Sequence, residues 1–326
     1  MAQTIPETMQ AAAIDRFGGA ETITVQELPV PQVGPDEVLI QVEAAGVSVW
    51  DVDEREGRFT GMFGEATFPY VLGWDGAGTI AAVGENVSRL KVGDRVYAAT
   101  LPKHRGGGFY SQYAAVEAEN VWPVPAKLTL EQAGVMGWDG LTAFTGLDDV
   151  LGLQPNETLM VFGASGGIGH MAVQLAKLMG ARVLAVASGA DGVALVQRLG
   201  ADAVVNGRQN DVVAAARKFA PNGLDAALFT AGGETAKQAI ATVRAGGRIA
   251  YPNGVTIEPN THASVTLSSY DASRHQATIT KLHQLIDSGP FEIHVARTFS
   301  LEQVAEAHRA IEEHFLGKLA LLPSGK

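Results

Sequence analysis

The stretch VFGASGGIGH, Val161 to His170, holds four glycines in ten residues, entered from one apolar run and left by another. Upstream, ETLMVFGA (157–164) reads as a buried strand. Downstream, GIGHMAVQLAKLMG (167–180) reads as a helix closed by Gly180. Turning from strand to helix in so short a space calls for backbone angles that glycine takes easily. The helix start then directs free N–H groups and a positive dipole at the turn, which suits a pyrophosphate. A side chain at Gly166 would block close approach of phosphates, and Gly169 lets the helix lie against the sheet. Ala164 replaces the first glycine of the usual fingerprint, giving Ala-x-Gly-x-x-Gly. The competing reading is a tight turn that binds nothing.

Working outward, strands and helices alternate from about Leu128. ARVLAVAS, ADAVVNG, LDAALFTAGG and RIAYPNG read as strands, while DGVALVQRLG, NDVVAAARKFA and TAKQAIATVRAGG read as helices. Such alternation marks a doubly wound parallel sheet in an α/β fold. The first third differs. AETITVQELPV, DEVLIQVEAAGV and GTIAAVGENVSRLKVGDRVYAA alternate apolar and polar residues between Gly and Pro turns, as half-buried strands do. Near the end, Ser300 and Gln303 form a capping box for a helix over 301–315, Gly317 stops it, and KLALLP is a final strand. The simplest assembly returns this segment to the N-terminal β-rich unit. The expected division is 1–127 with 262–326 as one domain and 128–261 as the inserted dinucleotide-binding domain.

The chain has 326 residues, enough for about two domains of ~150 residues. Hydrophobic residues are 46% and charged ones 18%, a globular composition. The net charge of −11 argues against nucleic acid or an anionic membrane as the main partner. With no cysteine, disulfides, thiolate nucleophiles and thiolate metal sites are excluded. MAQTIPETMQ lacks a basic region followed by an apolar run, and no apolar stretch reaches the ~20 residues of a membrane span, so a cytoplasmic location is expected.

The acid that reads a ribose 2′-hydroxyl falls about 20 residues past the glycines, at the end of the second strand. Ala187-Ser188-Gly189 occupy that slot. No carboxylate there repels a 2′-phosphate, so NADPH is expected, with NADH possible because Asp191 lies close by. Ser188 and Arg208 are the candidate phosphate contacts, and an ordinary solvated arginine is the alternative for Arg208.

GPDEVLIQVEAAGVSVWD, VLGWDGAGTIAAVGENVSRLKVGDRV, GWDGLTAF, the glycine run, AGGRIAY and TFSLEQVAEAHRAIEEHFLGKLAL resemble, in this order and spacing, the medium-chain dehydrogenase/reductase superfamily. The resemblance implies a Rossmann domain inserted in a GroES-like, β-rich catalytic domain, a homodimer, and hydride chemistry with a nicotinamide cofactor. Zinc enzymes of the family place a metal-ligand cysteine, histidine and cysteine where this chain has Ser48, Trp74 and about Trp138. Indole offers no lone pair to a metal. His104 is the one histidine before His170 and reads as a surface residue. The chain is therefore similar to the zinc-free branch of quinone and enone reductases, and no metal is expected.

The resemblance further implies that Gly163, Ala164, Ser165, Gly166, Gly167, Ile168 and Gly169 cradle the phosphates. Thr142, Thr230, Ala231, Gly232, Asn253 and Gly254 flank the nicotinamide side. Ser48, Asp51 and Tyr110 are the candidate catalytic residues; the loop LPKHRGGGFYSQY, which carries Tyr110, reads as a border of the substrate mouth or as plain connection. Trp50, Trp74 and Trp138 read as flat walls for a planar substrate, or simply as core. Asp53 stands where relatives often carry tyrosine, and Gly192 stands near the usual phosphate-binding lysine; both are departures. Electron-poor acceptors need little help beyond orientation and donors. The expected activity is NADPH-dependent reduction of quinones or α,β-unsaturated carbonyls. The alternatives are a zinc-free alcohol or aldehyde oxidoreductase, and a non-catalytic NADPH-binding sensor.

Overall fold

The computed structural model describes residues 5–62, 65–100, 107–257 and 264–325. In chain order the first part carries β1 (Thr8–Ile14), β2 (Ile23–Pro29), β3 (Glu37–Val47), α1 (Val49–Arg55), β4 (Tyr70–Val71), β5 (Asp75–Val83), β6 (Arg95–Ala99), β7 (Tyr113–Glu117), β8 (Val121–Pro123) and α2 (Leu130–Gly134). Helix α3 (Gly137–Thr145) leads into β9 (Thr158–Phe162), α4 (Gly167–Leu178), β10 (Arg182–Ala187), α5 (Gly189–Arg198), β11 (Ala203–Asn206), α6 (Val212–Phe219) and β12 (Leu224–Phe229). Then come α7 (Glu234–Ile240), β13 (Val243–Pro252), β14 (Thr266–Tyr270), α8 (Gln276–Ser288), β15 (Val295–Ser300), α9 (Val304–Ala310) and β16 (Lys318–Leu322).

The chain forms two units, 1–138 with 295–326, and 139–294. In the second, six parallel strands run in the order β11-β10-β9-β12-β13-β14. This is the expected doubly wound sheet, with its topological switch between β9 and β12. The strand before the glycines is fully buried, as a continuous apolar run in a parallel sheet must be.

In the first unit, β15-β16-β3-β5-β6-β8 form a sheet, with β7 also on β3, and β2-β1-β4 form a smaller one. The C-terminal strand β16 pairs antiparallel with β3, Leu319 opposite Val47, so the chain's end does rejoin its beginning. The core gathers Ile14, Leu39, Ile40, Leu72 and Ile80 with Leu319 and Leu321 from the far end of the chain.

Two boundaries differ from those read in the sequence. The return to the first unit comes at Val295 rather than 262, because β14 adds a sixth strand beside β13 and α8 packs on α4. The crossing into the second unit falls after Trp138 rather than at 128, because α2 lies against β3, where Gly134 abuts the Ala44 carbonyl. Within TAKQAIATVRAGG the helix stops at Ile240, since Val243 already pairs with Leu224. The Ser300–Gln303 capping box is present, but the helix it opens ends at Ala310 instead of Phe315.

Candidate active site

In the second unit the glycine run is built as its composition demands. At the end of β9, Gly163 takes φ +82°, the left-handed region. A Cβ there would collide with the Thr230 hydroxyl. Gly163 and Ala164 donate their N–H groups to the Val186 carbonyl at 3.1 and 2.9 Å. Ala164 is fully buried, so the first fingerprint position takes a methyl group into the interior without cost. Ser165 is buried beside Gly192, where a Cβ would lie 2.9 Å from its Oγ.

Gly166 and Gly169 divide the work. A Cβ on Gly169 would sit 2.7 Å from the Ala164 Cα and closer still to the Gly163 carbonyl, so this glycine lets the helix pack. A Cβ on Gly166 would meet only the Gly163 carbonyl oxygen, at 3.5 Å. No protein packing requires glycine at 166. Gly166 is the N-cap of α4, with no side chain capping it. The N–H groups of Gly167, Ile168 and Gly169 precede the first intrahelical bond, His170 N–H to Gly166 O at 3.0 Å. This is a ready anion cradle, and it fits the pyrophosphate of a dinucleotide.

Apart from Thr142, the other residues expected at the cofactor lie beyond the carboxyl ends of strands of the same sheet. Beyond β10, Ser188 is the half-buried N-cap of α5. Gly207 donates its N–H to Ala187 O at 2.8 Å, which brings the exposed Arg208 to the same strand end. Asp191 sits in the first turn of α5, where one of its oxygens accepts the Gly192 N–H at 2.9 Å. Thr230, beyond β12, spends its hydroxyl on the Phe162 carbonyl at 2.9 Å, which ties it to the glycine turn. Ala231 and Gly232 are exposed. Asn253 and Gly254 follow β13, with the Asn253 N–H on Tyr270 O at 2.8 Å. The carbonyl of Thr142, in α3, accepts the Tyr270 hydroxyl at 3.0 Å.

The first unit holds a buried acidic group that the sequence reading saw only in part. Asp51, Glu54 and Arg55 share one face of α1, three and four residues apart, and all are buried. Ser48 caps the helix, and both its N–H and its hydroxyl donate to Asp51 Oδ2 at 2.8 Å. Glu54 accepts from the Tyr70 hydroxyl and the Trp74 indole N–H. Asp75 accepts the Trp138 backbone N–H at 3.2 Å. Arg55 donates to Gly18 O at 2.9 Å and pairs with Glu56 at 2.8 Å, and it lies 3.1 Å from His308 Nδ1.

Burial pushes the Asp51 carboxyl up to about 7. The Ser48 hydrogen bonds oppose this, and the negative charges of Asp75 and Glu54 add to it. Burial, then the Arg55 charge, drives His308 down to about 3.

Ser48, Asp51 and Tyr110 are brought together, but not as a mouth. Tyr110 is fully buried, its ring edge-on to His308 at 5.7 Å. Gly73 makes room for it, since a Cβ there would lie 2.7 Å from the Tyr110 ring. Burial first, and then the charges of Asp51 and Asp75, raise its hydroxyl well above the ordinary phenol range. The expectation that Tyr110 borders the substrate entrance is therefore corrected: it is a core residue that holds its proton. Among the described residues, Asp51 Oδ1, the Tyr110 hydroxyl and His308 Nε2 are buried without a hydrogen-bond partner. His104 and the loop before Gly107 lie outside the described residues. Asp53, at the position of the family's frequent tyrosine, pairs with Arg58 at 2.9 Å.

The tryptophans do cluster. Trp50 stacks on Phe59 at 5.4 Å and lies 5.9 Å from Trp74, which meets Trp138 edge-on at 6.3 Å. Trp50 keeps 40% of its surface exposed, while Trp74 keeps 8%. The Trp138 indole N–H donates to the Trp74 carbonyl at 3.3 Å. Both indole N–H groups are thus spent on protein acceptors, and the rings present carbon where a metal would need lone pairs. Among the described residues, no group of three His, Cys, Asp or Glu side chains converges to hold a metal ion. The donor set does not fit zinc.

One unit thus carries a helix-terminus anion cradle, and the other carries a buried acidic group beside a cluster of tryptophans. Residues 34–126 match the alcohol dehydrogenase GroES-like domain, and 167–283 match the zinc-binding dehydrogenase domain. An alcohol dehydrogenase of Rhizobium meliloti is 35% identical over 267 residues, covering 74% of this chain and 76% of its own. The human quinone oxidoreductase is 29% identical over 315 residues, covering 93% and 94%. A mycobacterial protein solved with NADPH superposes with a TM-score of 0.82 at 26% identity, covering 97% of this chain and all of its own. The chain belongs to the medium-chain dehydrogenase/reductase family. No helix among the described residues is long and apolar enough to cross a membrane.

Proposed function

We propose that this chain is an NADPH-dependent reductase of quinones or α,β-unsaturated carbonyls that works without a metal. The observation that carries the reading is Trp74. Its indole, fixed by Glu54, fills a position where zinc members of the family carry a ligand. An alkoxide left by alcohol oxidation needs a Lewis acid or an equivalent, whereas a conjugated acceptor spreads the incoming charge onto its own oxygen. The cofactor, when bound, supplies the hydride.

The chain's own residues supply the rest. The glycine turn and the α4 N-terminus hold the pyrophosphate, and Ser188 and Arg208 take the 2′-phosphate. Trp50, stacked on Phe59 and still 40% exposed, offers a flat apolar wall to a planar acceptor. Ser48 Oγ gives its proton to the oxygen that gains charge. For this step the Asp51 proton sits on Oδ2, and the bond to Ser48 runs from Asp51 to Oγ. Asp51 passes that proton to Ser48, is left as carboxylate, and takes a proton back from water through the half-buried Ser48 hydroxyl after turnover. The quinone oxidoreductase relatives support this reading.

The test is single-turnover oxidation of bound NADPH by simple quinones and enones, followed by absorbance. Wild type is expected to reduce them, and Ser48→Ala is expected to lose about 10²-fold in rate or more with NADPH affinity unchanged. Wild type inert towards every quinone and enone sinks the proposal. The alcohol dehydrogenase relatives favour a second reading, a zinc-free alcohol or aldehyde oxidoreductase. NADP⁺ reduction by simple alcohols, with no enone or quinone turnover, would establish it instead.

A further inference from the structure

His170 closes the glycine run and takes no part in the chemistry above. It sits in the first turn of α4 and is fully buried. Two of its atoms converge on one carbonyl: its backbone N–H reaches Gly166 O at 3.0 Å, and its ring Nδ1 reaches the same oxygen at 2.9 Å. On the other side, Nε2 lies 3.2 Å from the backbone nitrogen of His294. A carbonyl only accepts and an amide N–H only donates. The proton is therefore on Nδ1 and the lone pair on Nε2, and the partners dictate the tautomer. Burial pushes the ring down to about 4, so it stays neutral at working pH.

One turn further along α4, Gln174 uses its whole amide in the same way. Its Nε2 donates to Glu292 O at 2.8 Å, and its Oε1 accepts the Glu292 N–H at 2.9 Å. His170 and Gln174, four residues apart, thus hold residues 292–294 along the helix. His294 is the last residue of its unit, and β15 begins with the next one.

The carbonyl that His170 holds is a particular one. In a planar trans peptide the C=O and N–H point in opposite directions. The Gly166–Gly167 peptide carries the first of the free donors of the cradle. Gly166 has no side chain to restrain that plane, and a Cβ there would touch only one atom, at 3.5 Å. Two bonds to its oxygen fix the direction of the Gly167 N–H.

We infer that His170 is the positioning residue of the phosphate cradle: its ring holds the Gly166–Gly167 peptide with the N–H outward and ties that peptide to the 292–294 segment. Dinucleotide loading and the ordering of 292–294 are then one linked equilibrium, and each strengthens the other. The inference rests on the dinucleotide reading of the glycine turn.

His170→Phe keeps the ring volume and removes both ring bonds. The probes are NADPH, followed by fluorescence titration, and adenosine 2′-monophosphate, which has no pyrophosphate. Hydrogen exchange of the 292–294 amides is followed with and without NADPH. His170→Phe is expected to weaken NADPH about tenfold, the loss of one net hydrogen bond, and to leave adenosine 2′-monophosphate binding unchanged. NADPH is expected to slow exchange at 292–294 in wild type and not in the variant. If His170→Phe does not fold, His170→Gln, which keeps a donor and an acceptor, takes its place with the same readouts and a smaller loss. Unchanged NADPH affinity in the folded variant, parallel loss of both ligands, or wild-type exchange at 292–294 indifferent to NADPH would each overturn the inference. Wild type that binds neither NADPH nor NADH defeats the dinucleotide reading first and takes the inference with it.

Discussion

Gly166→Val separates a ligand-binding glycine from a structural one. The Gly166 backbone, φ −83° and ψ −176°, is extended and open to any residue. A Cβ there meets one protein atom, the Gly163 oxygen at 3.5 Å, which is ordinary contact. The fold therefore loses little beyond the preference for glycine over valine at an N-cap, about 1 kcal/mol, and Tm is expected to shift by only a few degrees. The branched side chain instead occupies the space before the α4 N-terminus. Charge-assisted hydrogen bonds contribute about 1.5–3 kcal/mol each, so displacing the pyrophosphate from two of them costs about 10²-fold to 10⁴-fold in NADPH affinity. Gly169→Val is the control. Its Cβ would lie 2.7 Å from the Ala164 Cα, against rigid backbone, and overpacking of that kind destabilises by about 1–3 kcal/mol or more. Fluorescence titration and thermal melts on both variants give four numbers. A folded Gly166→Val that binds NADPH as wild type does would refute the assignment of the cradle. Equal loss of stability in the two variants would show that Gly166 is needed for packing after all.

Elemental analysis is expected to find no stoichiometric zinc, with quinone reduction indifferent to chelators; one tightly held zinc per chain would overturn the reading of Ser48, Trp74 and Trp138. Arg208→Ala is expected to weaken NADPH about tenfold and to leave NADH nearly unchanged; equal weakening of both would assign Arg208 to something the two cofactors share. For Asp51, the folded carboxyl holds its proton up to about pH 7 while the unfolded one releases it near 3.8, so the native state binds more protons between those values. This group's contribution to stability accordingly falls as pH rises through that window, by about 4 kcal/mol at most. His170 and His308, held neutral by burial, act in the opposite direction between their lowered values and 6.5, so the measurement is the difference between wild type and Asp51→Asn. Thermal melts from pH 4 to 8 are expected to show the variant gaining on wild type as pH rises; parallel curves would mean that Asp51 is ionised throughout.

The parts of the molecule that read directly from the sequence are those whose causes are local. A fully buried strand, a turn that glycine alone makes easily and an amphipathic helix are contiguous, so VFGASGGIGH declares both the sheet and the open helix start beyond its β9 strand. The capping residue Ser300 is of the same kind: its partner Gln303 lies three residues away. What did not read is what the fold assembles from a distance. Arg55 and His308 are separated by 253 positions, and no periodicity joins them. A glycine-rich loop ahead of Tyr110 reads as exposed, yet Phe109 and Tyr110 both turn inward because Gly73 and Gly76 leave room for their rings. One signal was there to be used: Asp51, Glu54 and Arg55 are charged residues at helical spacing, and such a face is either solvated or a site.

That face also explains why the acid that holds a proton is Asp51. Three carboxylates, Asp51, Glu54 and Asp75, are buried in the first unit within mutual electrostatic reach. Arg55 is already shared among Gly18, Glu56 and His308. Glu54 takes donors from Tyr70 and Trp74, one on each oxygen. Asp75 has the Trp138 N–H. Asp51 receives both Ser48 donors on a single oxygen, with the buried Tyr110 hydroxyl as its other polar neighbour. Where not every charge can be compensated, the fully buried carboxyl whose backbone and hydroxyl donors both come from Ser48 is the one pushed up. Ser48 connects it to a half-exposed hydroxyl. The indole of Trp74 and the raised Asp51 carboxyl are therefore linked through Glu54. Trp74 donates to Glu54, and the Glu54 charge is among those that push the Asp51 carboxyl up.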